Sequence, residues 1–382
     1  MTAFEEMQEH YHQRDLAARE WKKKGKVVGY FCDIVPEELI LAAGFFPIRL
    51  YGNPSGKTDI ARQYIVPRHP MREDFVHSML NMLLTGEYDY LDFLVIPHTR
   101  DSIHRLHQTL VMVRASNQEF KIPEFHFLDT VHTNLFLTRN YLRDQFIEFK
   151  KKLEEWSGKS ITDKSISHAI NVTNENKKLL KKVAELRAAE PPRISGMDAL
   201  QIVGSSMFML KETHNELLEQ YLTKEKELPS LDGIRLFVSG SPLDNLQLYE
   251  IIESNNAIVV AEDNCWGNRY SDVPIDTSID PLDAIADRYY NKSPCPRMYP
   301  LSWLTEYSVK SAIEARSQGV ICYVFENAVA EAWATPDKIK DLQKKGIPAL
   351  SLKDQKYLIS EPEALKAIIR NFLETIKSAS RE

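Results

Sequence analysis

KVVGYFCDIVPEELILAAGFFPIRL, running from Lys26 to Leu50, decides the fold class. Lys26 to Phe31 is a short β-branched and aromatic run that stops at Cys32 and Asp33, as a strand does when it enters a loop. Pro36 suits a first helical turn, Glu37 and Glu38 complement its positive end, and Gly44 supplies the stop. Phe46 to Leu50 then reads as a second strand. The alternation continues outward: a helix over Arg72 to Leu84, a strand over Leu91 to Ile96, a helix over Asp101 to Val113 and a strand over Pro123 to Leu128. Strands separated by helices of this length imply parallel βαβ units covered on both faces.

From Asn140 to about Leu228 strand patterns vanish and charged helix formers dominate, with Thr162 before Asp163 as a cap and the prolines at 191 and 192 as a breaker. Ile234 to Ser239, Ala257 to Ala261, Gly319 to Val324 and Pro348 to Leu352 restart the alternation, and a helix near Glu363 to Lys377 ends it. The expectation is an α/β protein of two Rossmann-like lobes with parallel sheets facing a cleft: an N-terminal lobe over 1–139, a helical connector over 140–230 and a C-terminal lobe over 231–382. Ligands sit at the carboxyl ends of strands in such sheets.

The composition excludes several function classes. At 382 residues with 43% hydrophobic and 27% charged residues, the chain is globular and not disordered. Its 48 basic and 54 acidic residues give a net charge of −6, the wrong sign for counterion release on nucleic acid or for anionic lipid. No apolar run approaches the roughly 20 residues that span a bilayer. The charged N-terminal segment lacks the apolar core of an export signal. Four scattered cysteines, Cys32, Cys265, Cys295 and Cys322, are too few for a disulfide framework and fit a reducing cytoplasm. The apolar residues Met207 to Leu210 fit either a partner surface or a core helix.

No GxGxxG, Walker A, HExxH or GxSxG pattern is present, so nucleotide, zinc-protease and hydrolase chemistry have no local support. His104 and His107 share a helix face with His98 nearby, but no carboxylate completes a metal triad, and plain helix-lining histidines are the favoured reading. Arg100 and Asp101 follow a strand directly, where Arg100 can be a surface charge, an ion-pair partner or an anion clamp. Cys32 holds the same place after the first strand, either as a small filler or as a thiolate ligand.

The segment GYFCDIVPEELILAAGFFPIRLYG (Gly29 to Gly52) resembles the opening motif of the family that contains 2-hydroxyacyl-CoA dehydratase D-components and ATP-dependent benzoyl-CoA reductases. LDFLVIPHTRDSIHRL (Leu91 to Leu106), VAEDNCWGNRY (Val260 to Tyr270), KSPCPRM (Lys292 to Met298) and the segment Gly319 to Leu350 resemble its later blocks, in order. The resemblance implies one 4Fe-4S cluster per fully equipped chain, held by three cysteines. Cys32 stands at the first ligand position, but Arg100 and Ala328 stand at the others. Neither side chain replaces a thiolate, so the expectation is a chain without its own cluster, and a set made of Cys32 with Cys265, Cys295 and Cys322 is disfavoured by the absence of a CxxC spacing.

Among family members the chain is most similar to the C-type, smaller subunit of a class I benzoyl-CoA reductase. That resemblance implies a homologous larger partner that carries the 4Fe-4S cluster and binds an aromatic acyl-CoA thioester, an ATPase activator pair that uses ATP and Mg, and ferredoxin as electron donor. Arg100 and His98 are then candidate cleft residues near the reacting ring, with Arg100 placed to stabilise an anion. The alternatives are the smaller subunit of a 2-hydroxyacyl-CoA dehydratase and a non-catalytic scaffold subunit.

Overall fold

A computed structural model describes residues 1–65 and 73–379. Two four-stranded parallel sheets carry the chain. The first contains β1 (Val27–Tyr30), β2 (Phe46–Arg49), β3 (Phe93–Pro97) and β4 (Glu124–Leu128) in the order β2-β1-β3-β4. The second contains β5 (Ile234–Gly240), β6 (Ala257–Glu262), β7 (Gly319–Phe325) and β8 (Ala349–Gln355) in the order β6-β5-β7-β8. The two orders are the same, so each lobe reverses its winding between its two central strands. This is the α/β fold of two Rossmann-like lobes expected from the alternation of strand and helix patterns.

Local chemistry explains the elements near the reversal. Helix Glu37–Ala42 starts after Pro36 and stops at Gly44, whose φ of 80° is a left-handed terminator. The helix read from Arg72 spans Asp74–Thr85 and ends on Gly86 at φ 81°, while Arg72 itself lies outside the described residues. The helix after β3, Asp101–Ser116, runs one turn beyond its expected end. Gly240 closes β5 at φ 128°, and a Cβ there would stand 2.2 Å from the Tyr323 carbonyl oxygen; only glycine allows β5 and β7 to meet so closely at the cleft.

Four long helices, Phe136–Ser157, Asp163–Ala188, Gly196–Ser205 and Lys211–Thr223, fill the segment between the sheets. Thr162 caps the second of them by accepting a hydrogen bond from the Ser165 amide at 3.1 Å. That helix is a strut. Lys177 pairs with Glu38 of the first lobe at 2.9 Å, and ten residues later Arg187 grips Glu262 at the end of β6 through two bonds of 2.7 and 2.9 Å. Ten residues of helix cover about 15 Å, which sets the distance between the lobes. The largest apolar cluster joins Val27, Ile96, Leu200, Leu236 and Ile321, so both sheets and the helices between them share one core. Met207, Phe208 and Met209 are buried in it, which makes them core residues and not a partner surface. Among the described residues, no helix is long and apolar enough to cross a membrane.

Candidate functional site

The two winding reversals open into one cleft of about 1520 Å³, counting its open mouth. The first lobe contributes Cys32 after β1 and Thr99 and Arg100 after β3; the second contributes Gly240, Cys265, Arg269, Asn327 and Glu331. Cys32 and Asn327, the residues just past β1 and β7, both have left-handed backbones, at φ 59° and 64°. Such conformations carry strain in non-glycine residues and collect at functional sites.

The three positions where the family resemblance expects cluster thiolates can be tested directly. Arg100 is engaged: its Nη2 lies 2.7 Å from Glu73 and 2.6 Å from Glu331, so the guanidinium bridges the first lobe and the helix Val329–Lys344 of the second. Ser102 donates its hydroxyl to the other oxygen of Glu73. Both carboxylates are buried. Burial, with the negative charge of Glu331 adding to it and Arg100 opposing, pushes Glu73 up to about 7. Ala328 is buried at the start of the same helix and offers only a methyl group. A thiolate-bound cluster needs soft ligands and open volume at these points, and an ion-paired guanidinium and a methyl supply neither. The ligand set does not fit a 4Fe-4S cluster.

Cys32, Cys265 and Cys295 all line the cleft, whereas Cys322 is buried within β7. The Cys32 thiol contacts the Thr99 hydroxyl at 3.2 Å, and burial, reinforced by Cys265, pushes it up to about 12; it is a protonated thiol at neutral pH. Burial likewise pushes Cys322 up to about 11. Among the described residues, no group of three or more His, Cys, Asp or Glu side chains is arranged to hold a metal ion.

Cations crowd the cleft floor. Lys292 donates to the Asp33 carboxylate at 2.6 Å and to its carbonyl at 2.8 Å. Arg49 donates to the Cys265 carbonyl at 2.6 Å and to its sulfur at 2.8 Å, and stacks on Trp266 with 4.0 Å to the ring centre. Arg269 reaches the Asp263 carbonyl at 3.4 Å and stands 3.8 Å from Asp33. Although burial disfavours the Asp33 carboxylate, the three cations hold it well below the usual carboxylate range, Lys292 foremost. Gly267 makes this loop possible: a Cβ there would lie 1.8 Å from the Glu262 carboxylate that Arg187 holds. The fixed Arg187–Glu262 pair is thus the template on which the segment Cys265 to Arg269 folds.

His98 is set apart from the cleft floor. Its Nδ1 pairs with Asp129 at 2.7 Å, and its carbonyl accepts from Thr130 and His132. The rings of His98, His104 and His107 pack around Phe127, and burial lowers His104 and His107 below the ordinary histidine range. Sequence reasoning placed Cys32, Arg100 and His98 on the cleft; Cys32 and Arg100 line it, and His98, turned to Asp129, does not. The same reasoning missed Arg49, Asp33, Glu73, Arg269, Lys292 and Glu331, although Arg269 and Lys292 lie inside the blocks VAEDNCWGNRY and KSPCPRM. Nothing local marks Glu73 or Glu331, because their role exists only once the lobes meet.

Residues 32–376 match the family model for the 2-hydroxyglutaryl-CoA dehydratase D-component. Over 356 residues the chain is 28% identical to the (R)-phenyllactyl-CoA dehydratase beta subunit of Clostridium sporogenes, covering 92% of each chain. It is 27% identical over 290 residues to the C-type subunit of benzoyl-CoA reductase from Thauera aromatica, covering 72% of each. A third relative is the beta subunit of (R)-2-hydroxyglutaryl-CoA dehydratase from Acidaminococcus fermentans, at 24% identity over 341 residues, covering 87% of this chain and 88% of the relative.

Proposed function

Because the chain belongs to the 2-hydroxyglutaryl-CoA dehydratase D-component family, we propose that it is the companion subunit of a two-chain, CoA-thioester-processing enzyme, and that a homologous larger chain supplies the 4Fe-4S cluster. The observation that carries this reading is the Glu73–Arg100–Glu331 bridge, a buried ion triad at the point where the family resemblance expects a cluster ligand. Such a bridge closes the two lobes on each other without metal. The chain's own contribution is then to complete the assembly and keep water from the shared site, where charged intermediates need a preorganised, dry surrounding.

The cleft mouth supports a subunit partner. Val131 and Val329 line it and are exposed, and close to them in sequence lie the strongly exposed Phe136 (78%), Leu137 and Trp333 (74%). Large apolar side chains left in water beside a cleft mark a protein interface.

For the reaction, dehydration of a 2-hydroxyacyl-CoA to the enoyl-CoA is the better supported assignment, because the match to a dehydratase beta subunit spans 92% of the chain. Ferredoxin- and ATP-dependent reduction of benzoyl-CoA is the second reading, supported by the match to the C-type benzoyl-CoA reductase chain. Anaerobic purification with iron and sulfide analysis tests the companion role: the isolated chain should carry no stoichiometric iron, and iron should appear with its larger partner. About four irons on the isolated chain would overturn it. With the assembled complex, phenyllactyl-CoA and benzoyl-CoA as substrates separate the two reactions, since only the reductase consumes ATP in proportion to product.

A further inference from the structure

We infer that the floor of the cleft is a binding site for the carboxylate of a small acid with an apolar body, held by Arg269 with Arg49 beside it. The inference goes beyond the companion role and concerns this chain by itself. Arg49 and Arg269 are each only 3% exposed. Asp33 is the carboxylate nearest Arg269, but Lys292 already takes it at 2.6 Å, leaving Arg269 at 3.8 Å. Arg49 is bonded only to neutral acceptors: the Cys265 carbonyl and sulfur and the Met207 sulfur. The carboxylates Glu73 and Glu331 are spent on Arg100. Three buried cations, Lys292, Arg269 and Arg49, therefore share the one carboxylate of Asp33, and Arg49 forms no ion pair with it.

A buried charge left unpaired is among the most costly features a protein can carry, and it persists where something charged arrives to meet it. Arg269 is also short of hydrogen bonds. Of its five donors it uses one, at 3.4 Å, and its Nε has no partner. The ligand class follows from the surroundings. Phe31, Phe75, Met79, Leu142 and Trp266 line the same cleft, so the body of the ligand is apolar. The charged end faces planar guanidinium forks, which match a carboxylate, and no glycine-rich cradle of amides is present among the described residues for a phosphate.

The test is titration calorimetry on the full chain in low-chloride buffer, with 3-phenylpropionate as the probe and 3-phenylpropanamide and inorganic phosphate as controls. The expected result is saturable binding of the carboxylate and none of the amide. Arg269→Gln should weaken binding at least about tenfold, the loss of one charge-assisted hydrogen bond. Its ligand-free melting temperature should equal or exceed that of the parent, because the substitution removes an uncompensated charge; a guanidinium with a purely structural role would lower it. If Arg269→Gln fails to fold, Arg269→Lys replaces it, and a several-fold loss is expected from the missing fork. The inference is overturned by no saturable binding up to about 10 mM, by equal binding of the amide, by tighter binding of phosphate, or by a variant that binds as the parent does. Iron content tests the companion role and this binding tests the site, so the two can fail separately.

Discussion

Replacing Arg100 by Met removes the cation from the inter-lobe bridge and leaves Glu73 and Glu331, both buried, facing each other without a counter-charge. Breaking a buried pair by deleting one partner costs about 3–5 kcal/mol. An unfolding entropy of about 2.1 cal/mol/K per residue gives roughly 0.8 kcal/mol/K for a chain of this length, so Arg100→Met should lower the melting temperature by about 4–6 °C at pH 7.5. The shared core makes a single transition the expected form of the melt. The pH dependence has a definite sign. Glu73 is raised in the folded protein to about 7 from an ordinary 4.5, so the folded state holds the extra proton between those values. Its contribution to stability is fully present below 4.5 and is lost as the pH rises through 7. Without Arg100 both carboxylates gain by protonation, so the penalty of the variant should shrink at pH 5.5. Melting curves by far-UV circular dichroism at the two pH values measure this. A change below about 1 °C at pH 7.5, or a penalty that grows on acidification, would refute the view of the triad as a buried bridge. The double variant Arg100→Met, Glu331→Gln should recover part of the loss, since one of the stranded charges is gone.

Three further outcomes follow from the geometry. Gly267→Ala places a Cβ 1.8 Å from the Glu262 carboxylate and should destabilise the protein by about 3 kcal/mol or more, seen in urea unfolding, with Ala at exposed Gly158 in its left-handed turn as a milder comparison. Arg187→Met strips the buried Glu262 of its bidentate partner and should cost about 3–5 kcal/mol in the same assay, the strut having lost its hold on the second lobe. Iodoacetamide at pH 8 under native conditions should leave the buried Cys322 unmodified by mass spectrometry and alkylate the cleft-lining Cys32 only slowly, because their thiols stay protonated up to about 11 and 12; alkylation of Cys32 as fast as an ordinary exposed thiol would contradict its raised pKa.

The sequence by itself determined the periodic and local features. The β-branched runs at Val27 and Ile234, the stop at Gly44 and the cap at Thr162 act through neighbours a few residues away, so strand, helix and lobe class are legible without tertiary structure. That Cys32, Arg100 and Ala328 follow β1, β3 and β7 was equally legible, since it is a matter of chain order; that these are the places of cluster ligands is implied by the family resemblance alone. What Arg100 does with its charge was decided only by folding: Glu73 and Glu331 lie 27 and 231 residues away, and an ion pair over such separations depends on how two sheets are set against each other. The same holds for Arg49 and Arg269, which are ordinary basic residues in one dimension. They become a surplus of buried positive charge because the strut from Lys177 to Arg187 holds both winding reversals against one cleft, and burial turns an inexpensive solvated charge into one that requires a partner.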